Sequence, residues 1–120
     1  MMFEINELGL TLAHIGINCI DEAEAFSGAE AFALMLGETV KNGSSSVFAG
    51  KVVELMKKPF LGQHGHIAFS TENIDRAIEV LTANGYKFNA STVKRDEQGK
   101  TKAIYFENEI CGFAVHLVKR

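Results

Sequence analysis

The stretch "GKVVELMK" (residues 50–57) has a near twin in "GFAVHLVK" (residues 112–119). Each reads Gly, three residues, an ionisable residue, Leu, an apolar residue and Lys, so Glu54 is answered by His116. Alternation makes both strands, with Val53 and Leu55, or Phe113, Val115 and Leu117, opposite the ionisable residue. A second pair occurs in the same order, "HIGINC" from His14 and "HIAFST" from His66. From His14 to Glu54 is 40 residues and from His66 to His116 is 50, which predicts one longer hairpin in the second copy, around "VKRDEQGK". Two matching pairs in one order mark an internal repeat.

The segments between these landmarks follow one plan. "LTLAHIGINC" reads as a strand, and "DEAEAFSGAEAFALMLG" as a helix with Asp21 as N-cap and Gly37 as stop, weakened by Gly28 inside it. "ETVKN", "SSVFAG" and "KVVELMK" are short strands separated by turn signals. The divide is "KKPFLGQHG", with the only proline, Pro59. Beyond it come the strand "HGHIAFS", a helix "TENIDRAIEVLTANG" capped by Thr71 or Asn73 and ended by Gly85, and strands at "YKFNAST", "KTKAIYFEN" and "GFAVHLVK". The expectation is an α+β fold in a single domain over residues 1–120. It holds two tandem β-α-β-β-β modules, about 10–58 and about 63–119.

Composition bounds the function. A chain of 120 residues, 47% of them hydrophobic, has enough apolar material for one core. A net charge of −3 with no basic cluster argues against nucleic acid or an anionic membrane as partner. The apolar runs are strand-sized and the N-terminus lacks a secretory pattern, so a soluble cytoplasmic protein is expected. Cys19 and Cys111 lack the close spacing of a zinc or redox motif and read as buried small hydrophobes.

The period of two also assigns faces. His14 shares its side of the first strand with Leu12, Gly16 and Asn18, and His66 shares its side with His64, Ala68 and Ser70. Helices covering the apolar side leave His14, Glu54, His66 and His116 together on the concave side of a curved sheet. Imidazoles with one carboxylate suit Zn, Ni, Mn, Co or Fe better than Ca or Mg. His64, a strand step of about 6–7 Å from His66, is expected at the rim. Asn18 and Ser70 are possible pocket residues, Phe48, Phe69, Tyr105 and Phe106 are core or wall, and "NGSSS" is a loop lacking the lysine and helix of a phosphate cradle.

"AHIGINC", "ELMK", "GHIAFSTENIDRAIEVLTANG" and "IYFENEICGFAVHLVK" together resemble the vicinal-oxygen-chelate superfamily, which includes glyoxalase I, methylmalonyl-CoA epimerase, bleomycin- and fosfomycin-resistance proteins and extradiol dioxygenases. The resemblance implies an open, curved, mixed β-sheet barrel with helices outside and one divalent metal ion inside. Its ligands come from the first and last strand of each module, which are the places of His14, Glu54, His66 and His116. The departure is His116, since that place is usually a glutamate that takes part in proton transfer. Three neutral imidazoles and one carboxylate leave the site one charge more positive, which favours an anionic or chelating ligand.

What the resemblance implies for activity is lyase, isomerase or epimerase chemistry on a small oxygen-chelating substrate through a metal-stabilised enediolate, with Glu54 as base and His116 second. The opening and closing segments are also similar to a glyoxalase-like C-terminal extension of some bacterial 2-keto-3-deoxy-6-phosphogluconate aldolases. That similarity frames the alternative, a metabolite-binding or accessory module without turnover. Open sheet edges and the habit of the family point to a homodimer.

Overall fold

A computed structural model describes residues 2–120. After α1 (Met2–Glu7), for which the sequence suggested no element, come β1 (Thr11–Asn18), α2 (Glu22–Leu36), β2 (Val40–Asn42), β3 (Ser46–Ala49) and β4 (Val53–Met56). The order then repeats in β5 (Gly65–Thr71), α3 (Ile74–Ala83), β6 (Phe88–Arg95), β7 (Thr101–Phe106) and β8 (Phe113–Lys119). All eight strands form one open sheet in the order β2-β3-β4-β1-β5-β8-β7-β6. Each module thus contributes four adjacent strands, and the modules join where β1 pairs antiparallel to β5.

The register carries the repeat into space. β4 lies parallel to β1 with Glu54 opposite Gly16, and β8 lies parallel to β5 with His116 opposite Ala68. Gly16 and Ala68 each stand two residues after the histidine of their strand, so the two modules are paired at equivalent places. The repeated glycine of the twin stretches has a conformational cause. Gly50 (φ 63°) and Gly112 (φ 81°) both turn the chain into the last strand of a module through the left-handed region that side chains disfavour.

The two helices cover two clusters of apolar residues. Under α2 lie Cys19, Val47, Ala49 and Leu55, met by Ala25, Ala29 and Ala33 of the helix. Gly28 does not break this helix. A Cβ there would come within 3.3 Å of Leu55 Cδ1, so glycine fits a helix drawn close to the sheet. Under α3, Ile74, Ala77, Val80 and Leu81 pack on Leu8, Ile104 and Leu117. The caps are as expected, with the Asp21 carboxylate accepting from the Glu24 amide (2.8 Å), Gly37 closing α2, and Asn73 rather than Thr71 accepting from the Arg76 amide at the start of α3.

Two local expectations are corrected. β6 runs on to Arg95, so the longer hairpin comes from strand length and the turn shrinks to 96–100, where Asp96 Oδ1 accepts from the Gln98 and Lys100 amides. Cys111 is exposed, on a turn residue with φ 53°, while Cys19 is buried. Among the described residues no helix is long and apolar enough to cross a membrane.

Candidate metal centre

The four central strands, β4-β1-β5-β8, each present one of the expected residues to a common point. The His66 Nε2 atom lies 3.3 Å from His14 Nε2 and 3.1 Å from Glu54 Oε1, and His14 Nε2 lies 3.5 Å from the same oxygen. One nitrogen each of His14, His66 and His116 fall within 4.8 Å of one another. The three histidines therefore meet within a single chain, and Glu54 joins them through His66 and His14. His66 and His116 are buried, and the His14 and Glu54 side chains are only 21% and 14% exposed.

Hydrogen bonding alone leaves this cluster poorly satisfied. Both ring nitrogens of His116 and Nδ1 of His66 are buried with no partner among the described residues. Each such orphan costs about 1–3 kcal/mol. Two imidazole nitrogens and a carboxylate oxygen also crowd one another at separations of 3.1–3.5 Å. A divalent ion with bonds of about 2.0–2.1 Å places tetrahedral ligand atoms roughly 3.3 Å apart. The residues present fit such an ion in spacing, in donor type and in the unused nitrogens of His116.

Protonation favours ligation as well. Burial, with the nearby His66, His14 and Lys94, pushes His116 down to about 3 against the opposing pull of Glu54. Burial lowers His14 too, which Glu54 partly offsets and His66 reinforces. Burial pushes the Glu54 carboxyl up, but hydrogen bonds from His66 and Ser46 and the proximity of His66 and His14 outweigh it and hold the group below the usual carboxylate range. At neutral pH, His14 and His116 thus offer free lone pairs and Glu54 a negative charge.

The surroundings include Ser46, whose role the sequence did not reveal, and the expected wall residues Phe48 and Tyr105. The Ser46 hydroxyl, in the supposed loop, begins β3 and donates to Glu54 Oε2 at 2.7 Å, fixing the carboxylate. Tyr105 stacks on His116, with centroids 4.3 Å apart and planes 6° from parallel. Burial, with the Glu54 charge, raises its phenol to about 12, so it stays protonated. Phe48 sets its ring edge-on to His14 at 6.1 Å. Phe48 and Tyr105 occupy equivalent places, paired with Glu54 and His116 respectively. Gly16 lies directly beneath the His66 ring, where a Cβ would stand 2.0 Å from Cε1.

Other expected neighbours lie elsewhere. His64 is exposed and packs on Phe113 (5.8 Å), because Gly65 at φ 149° interrupts the alternation that would have aligned it with His66. Ser70 is engaged near the far end of β5 by Thr11 and Arg120. Asn18 anchors the connection between modules, donating to the Gly62 carbonyl (2.9 Å) and accepting from the Phe60 amide (3.0 Å). That places the Phe60 ring 6.1 Å from the ring of His66.

Comparison with known proteins bears on the family and the fold. A family model described as the glyoxalase/bleomycin resistance protein/dioxygenase superfamily matches residues 19–117. No curated protein matches the chain. Among solved structures, a hypothetical protein from Bacillus halodurans C-125 superposes with a TM-score of 0.58 at 15% identity, covering 92% of this chain and 94% of that one. A methylmalonyl-CoA epimerase in complex with methylmalonyl-CoA gives 0.58 at 18% identity, covering 90% and 92%. The epimerase from Mycobacterium tuberculosis gives 0.56 at 14%, covering 90% and 86%. At such identities these structures speak to the fold.

Proposed function

Because the chain belongs to the glyoxalase/bleomycin resistance protein/dioxygenase superfamily, we propose that it is a metal-dependent lyase, isomerase or epimerase that moves a proton next to a carbonyl in a small oxygen-chelating substrate. The observation that carries this reading is the meeting of three histidines from three adjacent strands, with Glu54 of the next strand against two of them and the nitrogens of His116 buried and unpartnered. His14, Glu54, His66 and His116 would hold the ion, one of Zn, Ni, Mn, Co or Fe. When bound, it supplies Lewis acidity to the substrate oxygens.

The chain's own groups then divide the remaining work. Glu54 is the proton acceptor of choice, being the carboxylate of the cluster and ionised at neutral pH. Ser46 holds Oε2, which leaves Oε1 to face the imidazoles and the incoming carbon acid. His116, flattened against Tyr105, ranks second as proton carrier and serves first as ligand. Phe48 and Phe60 wall the site with apolar rings, which limits water around the reacting carbon. The free edges β2 and β6 support pairing of two copies.

One observation favours a second reading, a binding or accessory module without turnover. Glu54, the one carboxylate among the four expected ligands, is held by both Ser46 and His66. The test is metal content by elemental mass spectrometry on tag-free protein, against a His14→Ala, His66→Ala double variant, before and after reloading with Zn, Mn, Ni, Co and anaerobic Fe(II). Loaded protein is then given α-ketoaldehyde hemithioacetals, epimerisable acids and 2-keto-3-deoxy sugar acids in D2O. Near-stoichiometric metal and deuterium uptake next to a carbonyl support the enzyme. Metal without uptake across the panel supports the binding module, and no metal after reloading overturns the enzyme reading and leaves a binding module whose histidines line an ordinary pocket.

A further inference from the structure

Beside His14 a cleft of about 550 Å³ opens along the outer strands of the first module. Its inner end is formed by His14, Ser46 and Phe48, and its mouth by Lys41, Lys51 and the turn at 43–45. That volume lies in the range of small-molecule sites. Ser46 belongs to the cleft and to the cluster at once, since its hydroxyl also holds Glu54. The "NGSSS" segment lacks a lysine of its own at the phosphate-cradle position, yet the fold brings one from β2 (Lys41) and one from the turn before β4 (Lys51) to its side. Among the described residues neither lysine is recorded in an ion pair. Glu38 lies against Gly50 of the cleft lining and shares a neighbouring depression with Lys51, Leu36 and Val52, so one carboxylate stands near the lysines.

The opposite wall differs in charge. There a smaller cavity of about 130 Å³ is lined by Tyr105, Asn89 and Thr92 together with Glu107 and Glu109. Lys94, whose charge reaches His116, is not part of that lining. The two cavities thus offer an anion different linings, lysines in the first and glutamates in the second.

We propose that the cleft of Lys41, Lys51 and Ser44–Ser46 binds an oxyanion of the substrate, a phosphate or a carboxylate, so that the molecule runs from this wall to the histidine cluster. Lysine ammonium groups act as mobile point charges for such a group, and serine hydroxyls add directed donors. The inference rests on the metal-dependent reading only for what occupies the other end of the substrate. It assigns Lys41 and Lys51 to specificity, and it fixes the direction in which the substrate lies.

The test uses metal-free protein, so its failure is separate from failure of the metal reading. Amide spectra of 15N-labelled protein are recorded during titration with inorganic phosphate and, separately, with malonate, against chloride at matched ionic strength. Saturable shifts confined to residues 41–51 and His14 are expected from at least one anion, and the tighter of the two identifies the group as phosphate or carboxylate. The Lys41→Gln, Lys51→Gln variant is expected to bind at least tenfold more weakly while its other resonances stay those of the wild type. Shifts reproduced by chloride, shifts located elsewhere, or equal affinity in the double variant would each overturn the proposal.

Discussion

Replacing Gly16 by alanine tests the geometry of the cluster without removing any of its polar groups. A Cβ at position 16 would stand 2.0 Å from His66 Cε1, 2.4 Å from Nδ1 and 2.5 Å from Nε2. Carbon atoms in contact rest near 3.5–4.0 Å, so the ring must retreat by something on the order of 1.5 Å. His66 is 4% exposed and has no empty space to enter without disturbing its neighbours. Retreat also breaks its 3.1 Å approach to Glu54 and its 3.3 Å approach to His14. Overpacking of this kind costs about 1–3 kcal/mol, and the displaced imidazole should weaken zinc by at least the roughly 10–100-fold seen when a ligand loses its support. The internal repeat alone suggests the contrary, because position 68 is the equivalent place, already carries alanine, and pairs with His14. The assay is chelator-competition titration of zinc, with thermal unfolding before and after zinc addition. Ala68→Gly serves as control, expected to cost about 0.5–1 kcal/mol of stability while leaving zinc affinity intact. A Gly16→Ala protein with the melting point and zinc affinity of the wild type would refute the close approach of His66.

Three further outcomes are expected. Ser46→Ala removes the 2.7 Å hydrogen bond to Glu54, so the carboxyl should titrate at higher pH by carbon-detected NMR and zinc should bind about tenfold more weakly; an unmoved titration would show that the serine does not hold the carboxylate. For the metal-free protein, the folded-state pKa of His116 is about 3, below the ordinary 6.5. The unfolded chain therefore takes up the proton first, and stability, full above pH 6.5, must decline as the pH falls from there towards 3. Denaturant midpoints of His116→Gln should fall less steeply over that interval than those of the wild type, and parallel slopes would contradict burial of a neutral imidazole. Asn18→Ala loses three hydrogen bonds to the connection between modules, at about 1–3 kcal/mol, and should speed amide exchange at Phe60 and Gly62 while sparing zinc affinity; unchanged exchange would mean that the connection is held by other contacts.

The large features of this fold were legible because they depend on local periodicity. Alternation put His14, Glu54, His66 and His116 on one face, and the family resemblance pointed to the first and last strand of each module, which the structure pairs side by side. Helix limits followed from Asp21, Gly37 and Asn73, whose capping chemistry acts within a few residues. The misreadings come from interactions with distant chain. Three consecutive serines resemble a loop until β4 pairs with Ser46 and offers it Glu54. An alternating Gly16 looks like a weak strand residue until the ring of His66 arrives above it from β5. His64 and Cys111 were misplaced by single backbone angles, at Gly65 and at Cys111 itself, which no pattern of hydrophobicity encodes.

The differences between the modules fall where the site needs them. Equivalent strand positions carry Glu54 and His116, Phe48 and Tyr105, Ser46 and Ala103, and Gly16 and Ala68. Each substitution changes one property of the concave face. Glu54 has a serine to fix its second oxygen, whereas His116 has a phenol ring to fix its plane and an alanine where a hydroxyl would otherwise compete for its nitrogens. Glycine lets His66 sink to 4% exposure, whereas alanine beside His14 belongs to a histidine that stays partly open towards the lysine-bearing cleft. A sheet of two equivalent halves would treat both ends of a substrate alike. This one sets a carboxylate and a lysine-bearing cleft on one side of the imidazoles and a stacked ring with Lys94 nearby and a cavity bearing Glu107 and Glu109 on the other, so the two ends of a ligand would meet different surroundings.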